Sequence, residues 1–118
     1  MRIIFIVAAA ALLAAAAGGP AHAHAFLEHA EPRVGSTVPT SPRELVLFFN
    51  ENIEPAFSSV QVSDANGARG DLGKPRIGAS TMRVGLKNLT SGTYRVRWHV
   101  LSVDTHTTEG NFTFHVKQ

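Results

Sequence analysis

The sequence contains no cysteine and only two methionines among its 118 residues. Without cysteine, neither a disulfide framework nor thiolate redox chemistry is available, so stability must come from a hydrophobic core. The two methionines are Met1 and Met82, so the thioether ligands that soft metal ions favour are also nearly absent. These absences exclude disulfide-rich scaffolds and any metal or redox site built on sulfur.

The sequence also lacks an excess of charge of one sign. Lys and Arg total 11 and Asp and Glu total 9, and these residues are scattered singly along the chain. A protein that binds nucleic acid or anionic lipid through electrostatics normally carries a basic patch. No such patch is present, so neither class of partner is expected.

One long apolar run is present, and it lies at the beginning of the chain. Arg2 precedes the apolar residues 3–17, and the small-residue motif Ala21-His22-Ala23 follows shortly after. A basic start, an apolar stretch and an A-x-A site are typical of a secretory signal peptide. The run is shorter than the roughly 20 residues that span a bilayer, which disfavours a membrane anchor.

We therefore expect residues 1–23 to be a cleaved signal peptide and residues 24–118 to be one exported domain. Cleavage after Ala23 leaves His24 as the first residue. The triplet Ala23-His24-Ala25 also fits the cleavage pattern, and a cut after Ala25 would remove His24.

Alternation of apolar and polar residues is the main structural signal in the exported part. It predicts seven short strands, at residues 25–30, 44–50, 57–63, 69–74 (the weakest), 82–86, 93–101 and 109–116. Asn66-Gly67 predicts a tight turn, and the prolines in residues 34–42 predict a loop. No window has a clear helical period. The sequence thus predicts an all-β domain, an antiparallel sandwich or barrel of about seven short strands.

Asp104 and His106 lie two residues apart in the predicted connection between the last two strands. In an extended segment, side chains at this spacing point to the same side. Two ligands alone hold a metal ion poorly, so a third residue is needed. His24 is the candidate, because a new chain start there offers both a free α-amine and the imidazole Nδ1.

With Asp104 and His106, the two nitrogens of His24 complete a set of three nitrogens and one oxygen. A tetragonal nitrogen and oxygen set suits Cu(II), which also has the highest affinity among the common divalent metals. Zinc uses the same donors but prefers a tetrahedron. The alternative for Asp104 and His106 is a loop carboxylate that caps backbone amides beside a solvated histidine.

The chain resembles the copper-resistance protein C (CopC) family of periplasmic copper-binding proteins. The resemblance rests on His24-Ala25-Phe26-Leu27, Glu31-Pro32 with Gly35, Glu44-Leu45 with Phe48-Phe49-Asn50-Glu51, Gly92-Thr93-Tyr94-Arg95-Val96 with Trp98, Asp104-Thr105-His106, Gly110, and Phe112-Thr113-Phe114. It covers essentially the whole of residues 24–118.

The resemblance implies an immunoglobulin-like Greek-key β-sandwich or barrel. It also implies one Cu(II) ion held by His24, Asp104 and His106, with no Met-rich Cu(I) site. A CopD-like inner-membrane protein is the implied partner, and we expect a monomer that buffers or delivers copper without catalysis. Two other functions stay open: a copper oxygenase with a histidine-brace-like site, and a metal-free immunoglobulin-like interaction domain.

Overall fold

The structure is a computed structural model that describes residues 25–118. Eight strands account for about half of this part of the chain. They are β1 (Leu27–Glu31), β2 (Thr37–Val38), β3 (Glu44–Phe49), β4 (Ser59–Ser63), β5 (Arg76–Gly78), β6 (Thr81–Gly85), β7 (Gly92–Leu101) and β8 (Thr107–Val116). The helical content of the described residues is one 3-10 turn, Pro55–Phe57, and no helix among them is long and apolar enough to cross a membrane.

The strands form two four-stranded sheets. The first sheet has the order β1-β3-β6-β5, and the second has the order β2-β8-β7-β4. Neighbouring strands are antiparallel except for β2 and β8, which run parallel over two residue pairs. The longest pairing joins β7 and β8 over ten residue pairs, from Gly92↔Val116 to Leu101↔Thr107. This hairpin is the most extended element of the fold.

The all-β prediction is confirmed, and six of the seven predicted strands are present. The strand predicted at residues 69–74 is wrong, because that segment makes only the isolated bridges Ser63↔Arg69 and Asp71↔Leu86. β2 and β5 were not predicted. They have two and three residues, too few for a period of two to appear in the sequence.

Alternating residues of both sheets meet in the core. Leu45, Leu47, Val62, Met82, Val96, Val100 and Phe114 are fully buried there. Val46 faces the other side of β3 and is also buried, at 6% exposure, as expected for the densely apolar Glu44–Phe49 strand. Burial of apolar surface contributes about 25 cal/mol per Å², so this shared core supplies the main stabilisation of a protein without disulfides.

The carboxylate of Asp71 protects part of the edge of β4. Its Oδ1 accepts the backbone N–H of Val62 at 2.9 Å, and Arg69 donates to both carboxylate oxygens at 2.8 and 2.7 Å. Burial raises the pKa of Asp71, but the Arg69 and Val62 hydrogen bonds outweigh it and hold the pKa below its ordinary value. An edge amide occupied in this way is unavailable for pairing with another chain.

Trp98 and Gly110 are directly paired across β7 and β8. A Cβ atom built on Gly110 would lie 2.6 Å from Cζ2 of Trp98 and 2.8 Å from Cε2, so the indole ring fills the space of a side chain at position 110. The ring also meets Phe49 of the first sheet edge to face, with ring centroids 5.2 Å apart. Glycine in a strand often marks such a close approach.

We predict that Gly110→Ala lowers the free energy of unfolding by about 1–3 kcal/mol, because the methyl group overpacks against the indole ring. Trp98 is the one tryptophan in the sequence, so its fluorescence in a denaturant titration reports the change.

Gly85→Ala is the matched control. Gly85 also lies in a strand, but its added Cβ would meet only Leu72, at 3.5 Å or more. This variant is expected to be neutral or slightly stabilised, because alanine restricts the unfolded chain more than glycine does. Equal destabilisation of the two variants would contradict the packing of Trp98 on Gly110.

Candidate metal centre

The loop between β7 and β8 carries both residues predicted from the Asp-x-His pattern. β7 ends at Leu101 and β8 begins at Thr107, so Asp104 and His106 lie in the loop at one end of the sandwich. Oδ1 of Asp104 is 3.4 Å from Nδ1 of His106. Both side chains are partly exposed, at 36% and 48%. The two groups are therefore close together and accessible to a metal ion.

The backbone that brings Asp104 and His106 together is a turn and not an extended strand. Thr105 has a φ of 74°, in the left-handed region. Its N–H donates to the Ser102 carbonyl at 2.9 Å, which closes the turn. The predicted reason for the proximity of Asp104 and His106 is thus wrong, although the proximity itself is present. Positive φ is uncommon for a β-branched residue and clusters at functional loops.

Ser102 holds this turn from inside. It is fully buried, and its N–H donates to the His106 carbonyl at 2.9 Å. Its hydroxyl donates to Oδ1 of Asp104 and accepts the N–H of His106 at 3.3 Å. One buried side chain therefore fixes the carboxylate and the backbone of the histidine relative to each other. Hydrogen bonds of this kind determine the orientation of metal-ligating groups.

These contacts also keep Asp104 ionised. The Ser102 hydroxyl holds the pKa of Asp104 below its ordinary value, against the opposing effect of burial. The imidazole, the charge and the backbone N–H of His106 lower the pKa further. The carboxylate is therefore negative at neutral and mildly acidic pH, as a cation ligand must be.

The first described residues are attached to the base of the same hairpin. Ala25 is fully buried, and its carbonyl accepts the hydroxyl of Thr108 at 2.8 Å. Phe26 exchanges two hydrogen bonds with Asn50: its N–H donates to Oδ1 at 2.5 Å, and its carbonyl accepts the Asn50 N–H at 3.1 Å. The start of the described chain is thus held two residues from His106, on the strand that follows the loop.

Glu51 is a further acidic group in this region, and the sequence patterns assigned it no role. Its Oε2 is buried and has no hydrogen-bond partner within residues 25–118. Its neighbour Asn50 contacts Phe26, and the carbonyl of its neighbour Asn52 accepts the N–H of Val103 at 3.1 Å. A buried carboxylate oxygen without a partner is costly unless a proton or a cation compensates it. The signal in the sequence was an acidic residue two positions after the end of the buried strand β3.

Two of the three predicted ligands therefore lie together, and the third, His24, falls outside the described residues. Within residues 25–118, no three His, Asp or Glu side chains form a group that could hold a metal ion. The described donors are thus an incomplete set for tight binding. Imidazole and carboxylate are donors that Cu(II) accepts, and so the residues present fit this metal but need a further ligand.

Comparisons with known proteins converge on one family. The CopC domain matches residues 27–117. Protein YobA of Escherichia coli K12 is 35% identical over 99 residues, which cover 80% of each chain. The crystal structure of CopC from Methylosinus trichosporium OB3b matches with a TM-score of 0.75 and 31% identity, over 80% of this chain and 94% of that chain.

A second solved structure is PcoC, a methionine-rich copper resistance protein from Escherichia coli. It matches with a TM-score of 0.72 and 31% identity, over 80% of this chain and 100% of that chain. Both structural matches agree with the predicted Greek-key β-sandwich, which is confirmed.

We predict that Ser102→Ala raises the pKa of Asp104 towards the ordinary aspartate value, because the hydroxyl that stabilises the ionised form is lost. Titration of the Asp104 carboxyl carbon by NMR in metal-free protein measures this change directly.

Ser58→Ala is the control for this experiment. Ser58 is also buried, but its hydroxyl accepts the N–H of Leu101 and does not contact Asp104. The Asp104 titration should be unchanged in this variant. An unaltered Asp104 pKa in Ser102→Ala would show that the hydroxyl does not hold the carboxylate.

Proposed function

The chain belongs to the CopC family, and from this premise we propose that it binds one Cu(II) ion in the periplasm and buffers or delivers it. The ligands in this proposal are both nitrogens of His24, the carboxylate of Asp104 and the imidazole of His106. The observation that carries the proposal is the approach of Asp104 to His106, 3.4 Å apart on an accessible loop.

The anchored start of the described chain supports the inclusion of His24. Consecutive Cα atoms are about 3.8 Å apart, and Ala25 is bonded to Thr108 at the base of the loop. The point from which the preceding residue extends is therefore fixed next to Thr108, two residues from His106. Export and cleavage after Ala23 would make His24 the new chain start, with a free α-amine.

The charge of the region supports a cation as the ligand. Asp104 is held in its ionised form, and Glu51 has a buried oxygen without a partner in the described residues. An ionised carboxylate on an accessible loop attracts a divalent ion and lowers the free energy of its bound state.

Cu(II) is favoured over Cu(I) by the absence of accessible sulfur within residues 25–118. The sequence has no cysteine, and Met82 is fully buried in the core of the sandwich. Cu(I) prefers thiolate and thioether ligands, whereas imidazole, amine and carboxylate suit Cu(II). We propose no second, Met-rich copper site, and we propose that the protein is not an enzyme. The recipient of the copper would be the CopD-like inner-membrane protein that the family resemblance implies.

The first prediction from this proposal concerns the α-amine. A protein with one extra residue before His24 keeps both imidazoles but loses the amine at that position. Changes in outer-shell partners typically weaken metal binding about 10–100-fold, so loss of a direct donor should weaken Cu(II) binding more than about 100-fold. Competition with a copper chelator of known affinity measures this difference.

His106→Ala should weaken Cu(II) binding to a similar extent, and His99→Ala is its matched control. His99 lies on β7 outside the loop, and its side chain is exposed. This variant should bind copper as the unaltered protein does. Native affinity in His106→Ala, or in the extended protein, would refute the proposed ligand set.

The second prediction concerns pH. A free α-amine titrates at about 7.7–8.0 and a free imidazole at about 6.5, and both must be neutral to bind a metal. Protons therefore compete with copper, and Cu(II) affinity should fall steadily as the pH is lowered from about 8 to 5. Asp104 does not set this fall, because its pKa lies below the ordinary aspartate value.

The affinity profile is measured by chelator competition at several pH values, together with the protons released when copper is added. An affinity that does not change over this range would count against amine and imidazole ligands.

A further inference from the structure

The exposed face of the second sheet contains a polar cavity of about 480 Å³. One wall is a row of side chains across three strands, Ser59, His99 and Glu109, which are paired in register. The opposite wall is the next row on the same face, Gln61, Arg97 and Asn111. Trp98 and Gly110 of the intervening row form the floor. We call this cavity, with its two walls and its floor, the polar trough.

All six wall side chains are available to a ligand. Within residues 25–118, none of them makes a hydrogen bond or an ion pair with another residue. The cavity on the other sheet differs in this respect, because its Glu44 is 3.1 Å from Arg83 and 3.9 Å from Arg76. The Glu44 carboxylate there is already paired with guanidinium groups. In the polar trough, by contrast, the side-chain donors and acceptors remain available to bind another molecule.

The two walls have opposite character. Arg97 lies between two amide side chains, Gln61 and Asn111, so this wall offers a guanidinium fork flanked by N–H donors. A guanidinium fork matches the two oxygens of a carboxylate. On the other wall, Glu109 supplies a negative charge next to the imidazole of His99. Residues on such diagonal positions of a sheet are about 7–8 Å apart, a gap that a small molecule can bridge.

We propose that the polar trough binds a small zwitterion of the amino-acid type. Its carboxylate lies on Arg97, and its ammonium group lies on Glu109. A metal ion fits less well, since only His99 and Glu109 are suitable ligands and the positive charge of Arg97 lies beside them. A dicarboxylate also fits less well, because its second acid group would face Glu109.

The polar trough is separate from the proposed copper centre. The His99↔Glu109 pair is two residue pairs from Leu101↔Thr107, the last pair before the loop. At about 3.4 Å per residue this is roughly 7 Å along the hairpin. The trough uses neither Asp104 nor His106, so its ligand can be tested without copper.

The test is an NMR titration of the exported protein, without added metal, using three molecules of similar size. They are alanine, which carries both charged groups, propionate, which has only the carboxylate, and propylamine, which has only the ammonium group. Alanine should shift the backbone amides of residues 97–99 and 109–111 in a saturable way. Propionate and propylamine should bind at least about tenfold more weakly, because each makes one of the two charged contacts.

Variants of the two charged walls complete the test. Arg97→Gln and Glu109→Gln should each weaken alanine binding about tenfold or more. Arg95→Gln is the matched control: Arg95 lies on the same strand and face, between Ser63 and Thr113, and has no ion pair within the described residues. It removes the same charge one row beyond the trough and should leave alanine binding unchanged. All three side chains are exposed, so the variants should keep the amide spectrum of a folded protein.

Three results would overturn the proposal. These are propionate or propylamine binding as tightly as alanine, Arg95→Gln weakening alanine binding as much as Arg97→Gln, and the absence of saturable shifts in the trough amides. Loss of copper binding in a loop variant with alanine binding intact would affect only the proposed function.

Discussion

The attachment of Ala25 to Thr108 is the contact on which the proposed centre depends. Ala25 is fully buried, and its carbonyl accepts the Thr108 hydroxyl at 2.8 Å. Without this contact, the point from which the residue before Ala25 extends would not be fixed next to the loop. Two hydrogen bonds between Phe26 and Asn50 reinforce the attachment on the side of β3. Preorganisation of this kind reduces the entropy that metal binding must otherwise overcome.

The β7–β8 hairpin gives the loop a rigid base. Its ten residue pairs continue into the turn at Ser102, whose hydroxyl bonds Asp104 and the backbone of His106. Trp98 packs on Gly110 and against Phe49, which ties the hairpin to the first sheet. Donors on rigid elements keep their geometry in the absence of metal, whereas donors on a free loop do not. The same hairpin carries the polar trough on its exposed face.

Much of the fold could be predicted from the sequence, because a period of two along Thr81–Gly85 or Gly92–Leu101 is a local property. β2 and β5 could not be predicted, since two and three residues carry no period. The segment around Asp71 is predicted to be a strand, but its backbone makes only isolated bridges, and the Asp71 side chain accepts the Val62 N–H at the edge of β4. The choice between these arrangements depends on residues distant in sequence.

The candidate metal centre could likewise be predicted only in part. The pattern predicted the pair Asp104 and His106, but the left-handed Thr105 that brings them together has no signal in the sequence. Glu51 was missed because its lack of a partner depends on the packing of other segments. The polar trough could not be predicted, because it depends on the register of three strands. That register places Gln61, Arg97 and Asn111 side by side.

The central claim is that copper is held by the α-amine and imidazole of His24 together with Asp104 and His106. Pulsed electron paramagnetic resonance of the exported, Cu(II)-loaded protein tests it most directly, because the hyperfine couplings identify the nitrogens bound to the metal. We expect couplings from two imidazoles and one amine nitrogen. A spectrum with imidazole couplings alone, or with no directly bound nitrogen, would contradict the proposed centre.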